Sequence, residues 1–173
     1  MTTAATHSLT LPGPMLKRGF WLYVWRVETP KGEWLYVGRT GDNSSPNATA
    51  PYTRMGQHLG FVKSQNALRK HLAKRNISVE KCAAFHLVAH GPIYPEVKHV
   101  EGADRSTLMK AHTPIRNLVG AMEKALAEEL VEAGYRVLNK VTWRHSHNPE
   151  VWKTVRAAFV KEFPNLSQIS DKE

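Results

Sequence analysis

The stretch from Gly19 to His58 constrains this chain more than any other. It holds two short aromatic runs, Trp21-Leu22-Tyr23-Val24-Trp25 and Trp34-Leu35-Tyr36-Val37-Gly38, on either side of Pro30-Lys31-Gly32. Strand residues alternate between faces, so Trp21, Tyr23, Trp25 and Val27 share one face, with Leu22 and Val24 on the other. Trp34, Tyr36 and Gly38 likewise oppose Leu35 and Val37. Two such runs around turn residues predict a hairpin, which places Tyr23 and Tyr36 on one face. Residues 42–51, rich in Asn, Ser and Pro, read as a loop. A helix over 52–61 follows, and on it Arg54 and His58 lie one turn apart, pointing the same way.

The remaining pattern supplies one more strand and three more helices. A helix over 64–75 has Leu68 and Leu72 on its inner side, with Arg69, Lys70, Lys74 and Arg75 outward. Residues 82–89 read as a third strand, broken by His90-Gly91-Pro92. The segment 92–114 is irregular. A long helix over 114–133 carries an apolar stripe of Leu118, Met122, Leu126 and Leu130, with Thr113 suited to cap it, Pro114 to open it and Gly134 to end it. A short extended run over 135–141 and a last helix over 150–163 complete the reading, and the closing tail is expected to fray. The fold class expected is α/β of the α+β kind, a small three-stranded, mainly antiparallel sheet flanked by helices. Residues 1–18 form a flexible arm, and 141–173 a helical extension of the same domain.

Charge narrows the partner. Among 173 residues, 24 Lys and Arg stand against 15 Asp and Glu, a net charge of +9. Such a balance points to a polyanion, of which nucleic acid is the commonest. The helix face bearing Arg69, Lys70, Lys74 and Arg75 reads equally as a solvated surface or as a phosphate-contacting one. The single cysteine, Cys82, excludes an internal disulfide and a Cys-rich zinc site. His145 and His147 would share a face only in an extended segment and have no third ligand nearby. No apolar run is long enough to span a membrane and no secretory signal is evident, so a cytoplasmic protein is expected.

Taken in order, Tyr23, the Tyr36-Val37-Gly38 tripeptide, Arg54, His58, Glu123 and Asn139 resemble a GIY-YIG nuclease domain over residues 19–140. That family carries two tyrosine tripeptides on adjacent strands, then a helix with a catalytic arginine. A metal-binding glutamate on a later helix and an asparagine beyond it complete the set. Trp21 stands where the first tripeptide of the family has glycine. The resemblance implies DNA hydrolysis with a single Mg²⁺ or Mn²⁺ ion, leaving 5′-phosphate and 3′-hydroxyl ends. It further implies that Tyr23 takes the proton of the attacking water, while Tyr36 and His58 orient that water or relay the proton, and that Asn139 braces the site.

Phosphodiester hydrolysis needs an activated water, relief of charge on the phosphate and help for the leaving oxygen. Arg54 offers a permanently charged fork for phosphate oxygens, and Arg39, directly after the second tripeptide, another contact. A carboxylate such as Glu123 suits a hard cation that keeps several waters. Glu123 falls at the border of the apolar stripe and Glu129 within it, so Glu129 is the rival ligand; Glu128 and Glu132 point away. A phenol titrates near pH 10, so Tyr23 acts as a base at neutral pH only if nearby positive charge lowers that value. The expectation is a compact restriction-type endonuclease acting on double-stranded DNA, as a homodimer or by sequential nicking. The competing expectation is a non-catalytic nucleic-acid-binding module of the same fold, and a third is an RNA-directed nuclease.

Overall fold

The computed structural model describes residues 4–97 and 102–170. The first three residues of the arm, positions 98–101 of the irregular segment and the last three of the tail lie outside the described residues. Among the described residues, strands β1 (Phe20–Thr29), β2 (Gly32–Arg39) and β3 (Ala84–Tyr94) form one antiparallel sheet in the order β2-β1-β3. This is the small α+β architecture that the alternation of apolar residues predicts. β1 turns into β2 through Pro30-Lys31, with Gly32 taking the positive φ of +94° that closes the turn. The register pairs Tyr23 with Gly38 and Trp25 with Tyr36, so the two tyrosines are diagonal neighbours on one face.

Helices cover both faces. The face bearing Tyr23, Trp25, Val27 and Tyr36 packs against α1 (Pro51–Leu59) and α2 (Ala67–Ala73), with Leu68 and Leu72 fully buried beneath it. The face bearing Leu22, Val24, Leu35 and Val37 packs against α3 (Arg105–Glu132) and α4 (Pro149–Glu162) through Met122, Leu126, Leu130 and Phe159. Full burial of a side chain of this size stabilises by about 1.5–3 kcal/mol. A slip of β2 by one residue would exchange its two faces, so the burial on both sides fixes where Tyr36 points.

Several boundaries differ from the sequence expectation, each for a physical reason. α3 begins at Arg105 rather than at Pro114, because Asp104 caps it by accepting from the Thr107 N–H and because Leu108 and His112 bury their side chains. Those tertiary contacts outweigh the backbone hydrogen bond that Pro114 removes within the helix. β3 runs through Gly91-Pro92 to Tyr94. It does so as an edge strand with an irregular register opposite Phe20 to Leu22, the setting in which a strand tolerates proline. Of the tail expected to fray, the described part starts within the 3₁₀ turn Pro164–Gln168, and the Ile169 carbonyl accepts from Arg156. The arm is anchored at its end, where Gly13–Leu16 forms a 3₁₀ turn and Arg18 pairs with Glu96. No helix among the described residues is long and apolar enough to cross a membrane.

The segment after α3 positions the site. Gly134, at φ +87°, ends the helix and turns the chain back alongside β2. There Leu35 N–H donates to the Arg136 carbonyl and Leu138 N–H to the Leu35 carbonyl, a short parallel extension of the sheet.

Candidate active site

A cleft of about 750 Å³ opens beside the end of β2, and Tyr23, Tyr36, Arg54, His58, Glu123 and Asn139 all line it. The hairpin delivers the tyrosines, α1 delivers Arg54 and His58, α3 delivers Glu123, and the segment after α3 delivers Asn139. Residues spread over more than a hundred positions of sequence therefore share one concavity.

The centre of the cleft wall is a buried hydrogen bond of 2.7 Å between the Tyr23 hydroxyl and His58 Nε2. Burial raises the Tyr23 phenol well above its ordinary value, with Tyr36 adding to the effect, and the favourable charges of Arg54 and Arg39 do not offset it. The two arginines alone therefore do not lower the phenol, the condition under which it would act as a simple base. Burial, helped by the nearby Arg54 charge, lowers His58 to about 4. At neutral pH the phenol is protonated and the imidazole neutral, so the Tyr23 hydroxyl donates and His58 Nε2 accepts. The Tyr36 ring meets the His58 ring edge-on at 5.1 Å, and burial raises its phenol too.

Gly38 is there because of Tyr23. A Cβ at position 38 would lie 2.5 Å from the Tyr23 ring, so only glycine lets the ring lie across β2 and reach His58. This gives the last residue of the second tripeptide a steric role.

Arg54 is held by Gln57 at 2.9 Å and by Asp42 at 3.3 Å, with its side chain still partly exposed to the cleft. Arg39 is more deeply engaged. Its Nε lies 3.1 Å from Glu123 Oε2, its other nitrogens donate to the Gly41 carbonyl and to Asn43 Oδ1, and its guanidinium stacks over Trp143. Arg39 is thus a positioning residue for Glu123 and the 41–43 loop, rather than the free phosphate contact expected. The ion pair is close yet poorly aligned: Arg39 Nε is buried without a hydrogen bond of acceptable geometry. Glu123 is raised by burial, although Arg39 and Arg54 oppose the shift. Such a carboxylate, facing the cleft and loosely matched to its cation, fits a hard divalent ion held by one protein oxygen ligand plus water and substrate oxygens. No cluster of three or more His, Cys, Asp or Glu side chains converges among the described residues. Glu129 is on another side of α3, paired with Arg156 at 2.6 Å, and does not line the cleft.

Asn139 does what a strand would do. Its Oδ1 accepts from Val37 N–H at 3.0 Å and its Nδ2 donates to the Val37 carbonyl at 2.8 Å. One side-chain amide thus continues the backbone ladder begun at Leu35 and holds the strand between Tyr36 and Gly38.

The basic face of α2 divides. Arg69 pairs with Glu80 and donates to the Leu59 carbonyl, and Arg75 donates to the His71 and Leu138 carbonyls beneath the Trp34 ring. Both tie the fold together. Lys70 and Lys74 are exposed, and from α2 the cleft is lined by Ala67 and His71 instead. His145 packs near Trp143 and His147 near Trp152.

Sequence reasoning passed over Asp42, Asn43, Gln57, His71 and Trp143, which also line the cleft. Only Gln57 had a local signal, sitting three residues after Arg54 on the same helix face. The chain matches no known protein-family model, no curated protein and no solved structure.

Proposed function

We propose that this protein is a divalent-metal-dependent endonuclease that hydrolyses DNA phosphodiester bonds, in the manner of the GIY-YIG nucleases that its motifs resemble. The observation that carries the reading is the Tyr23–His58 hydrogen bond in a cleft that also gathers Tyr36, Arg54 and Glu123.

Hydrolysis in this cleft runs through a proton relay. As water attacks phosphorus, its proton passes to the Tyr23 oxygen while the Tyr23 proton passes to His58 Nε2. The new bond joins the water oxygen to phosphorus, and the bond from phosphorus to the 3′ oxygen breaks. The 3′ oxygen takes up a proton from solvent, which leaves 3′-hydroxyl and 5′-phosphate ends. The relay needs no phenolate, which suits a phenol whose burial keeps it protonated. Arg54, partly exposed between Asp42 and Gln57, neutralises charge on the phosphate oxygens. Glu123 would hold a single Mg²⁺ or Mn²⁺, which as a Lewis acid stabilises charge on the phosphate and the leaving oxygen. A sequence-specific, restriction-type enzyme is the form proposed, with two copies of the chain serving the two strands of a duplex.

The Arg39–Glu123 ion pair favours a second reading, a nucleic-acid-binding module in which the carboxylate holds an arginine and no metal. Incubation of supercoiled plasmid with Mg²⁺ or Mn²⁺ decides between them. Discrete fragments from the wild type, lost in Tyr23→Phe and Glu123→Gln, are the expected result. DNA that is bound but stays intact with either ion would remove the nuclease reading.

A further inference from the structure

A second cavity of about 560 Å³ forms a groove beside the cleft, and Asn43, Thr142 and Trp143 line both. Arg116 is fixed there by neutral acceptors alone, the Asn43 carbonyl at 2.9 Å and Asn117 Oδ1 at 2.9 Å. Arg144 is exposed at the same cavity. Neither arginine has an ion-pair partner among the described residues; Arg75, Arg105 and Arg136 share that property, but Arg116 and Arg144 are the ones that line the cavity beside the cleft.

The groove is also built to keep its cations together. Trp143 is pinned by its Nε1–H bond to the Asn117 carbonyl at 3.0 Å. Its ring lies so close to Gly120 that a Cβ there would fall 2.4 Å away. On this fixed platform sit two guanidiniums, Arg39 at 4.9 Å and Arg116 at 5.8 Å from the ring centroid. Arg39 is already paired with Glu123, so Arg116 is the guanidinium on this platform that has no carboxylate and is left to meet an anion.

We propose that this groove carries the phosphate backbone of the nucleic-acid strand past the reacting phosphate, with Arg116 and Arg144 as its phosphate contacts and Trp143 as its floor. The polyanion path therefore follows the junction of α3 with the 142–145 segment instead of the outer face of α2. Its alignment with a scissile bond rests on the nuclease reading; the backbone contact itself does not. A strand fits better than a small anion, because the two cavities are neighbours and each has its own arginines, Arg116 and Arg144 in the second and Arg54 in the cleft. Asn43 and Asn117 place amide groups among these cations.

The test is binding of a short fluorescein-labelled duplex in EDTA, followed by anisotropy at salt concentrations from about 50 to 200 mM, where phosphate contacts dominate the affinity. Removing one arginine that neutralises a phosphate is expected to lower the slope of log K against log salt by about 0.9. Arg116→Gln/Arg144→Gln should therefore bind at least about tenfold more weakly at the low-salt end and lose about 1.8 from the slope. Lys70→Gln/Lys74→Gln should keep the wild-type slope. Arg144→Gln alone guards against misfolding, since the side chain has no ion pair to lose, and it should lower the slope by about 0.9 with an unchanged thermal midpoint. A double arginine variant that keeps the wild-type slope, or a larger loss in the lysine pair, overturns the proposal, as does displacement of the duplex by polyglutamate at equal charge. Parallel plasmid incubations with Mg²⁺ separate the two readings. Binding with these slopes but no cutting would sink the nuclease reading and leave the groove standing. Cutting with unchanged slopes would sink the groove alone.

Discussion

The Tyr23 hydroxyl lies 2.7 Å from His58 Nε2, and the two groups come from a central strand and a helix packed over it. Tyr23→Phe removes the oxygen that passes the proton while keeping the ring that crosses Gly38. Cleavage should fall by about 10²–10⁴-fold, the range for loss of a positioned proton-transfer group. Stability should fall by only about 1–3 kcal/mol, because His58 Nε2 loses its partner in a buried place. Plasmid cleavage and urea unfolding of the same preparation check both. Full activity in Tyr23→Phe would exclude the relay.

The Tyr23 ring and Gly38 give a steric prediction. Gly38→Ala forces a Cβ to within 2.5 Å of that ring, and strand and ring are both buried, so neither has room to yield. Destabilisation of about 1–3 kcal/mol is expected, as for overpacking, together with loss of cleavage as the ring shifts from His58. Gly56→Ala is the comparison, since a Cβ at that position in α1 meets nothing within 4 Å. It should stabilise by up to about 1 kcal/mol through helix propensity. Equal unfolding midpoints for the two variants would contradict the packing argument.

Asn139 offers a test of the sheet extension. Asn139→Asp keeps an acceptor for the Val37 N–H but sets an oxygen against the Val37 carbonyl where Nδ2 now donates. Val37 is fully buried, so the mismatch should cost on the order of 2 kcal/mol. Part of that loss should return at acidic pH, where a protonated carboxyl donates again. A variant whose deficit is the same at every pH would show that the Nδ2 bond contributes little.

The parts of this site that are legible in sequence are those that local periodicity determines. Alternation along Trp21 to Trp25 and Trp34 to Gly38 sets the shared face of the tyrosines, and the four-residue spacing places Arg54 with His58. What lies hidden depends on tertiary packing. Nothing near Arg39 in sequence says that its charge meets Glu123, and a glycine at position 120 within a helix reads as a weak helix former, not as the seat of Trp143. The start of α3 escapes a sequence reading because Pro114 is a strong local signal, while the burial of His112 and its bond to the Asp42 carbonyl are not local at all. The charge of Arg69 and Arg75 is visible, but not the carbonyls and carboxylate that occupy it.

His58 makes stability depend on pH. Its folded value of about 4 lies below the ordinary 6.5, so the unfolded chain binds the proton more readily. The contribution is fully present above about pH 6.5 and is lost as pH falls toward 4, in total on the order of 3 kcal/mol. Buried carboxylates add their own pH dependence, so the difference between wild type and His58→Gln isolates the effect. Urea unfolding across this range should show wild type losing more stability on acidification than the variant. Parallel curves would mean that His58 titrates normally in the folded protein.

Glu129 and Glu123 are both carboxylates on α3, and only their partners separate them. Glu129 meets Arg156 at 2.6 Å with both side chains largely buried, and Arg156 in turn holds the Leu166 and Ile169 carbonyls. Glu129→Gln should therefore destabilise the packing of the C-terminal segment, by about 3 kcal/mol or somewhat more as for breaking a buried pair. It should leave Mg²⁺-dependent cleavage intact below its unfolding temperature. Glu123→Gln should differ in cleavage. It leaves the buried Arg39 guanidinium without its carboxylate, so the fold loses stability too, but cleavage is abolished even below the unfolding temperature and added Mn²⁺ does not restore it. Measuring thermal midpoint and cleavage for both variants separates the roles, and a Glu129→Gln variant that unfolds like wild type but no longer cuts would exchange them.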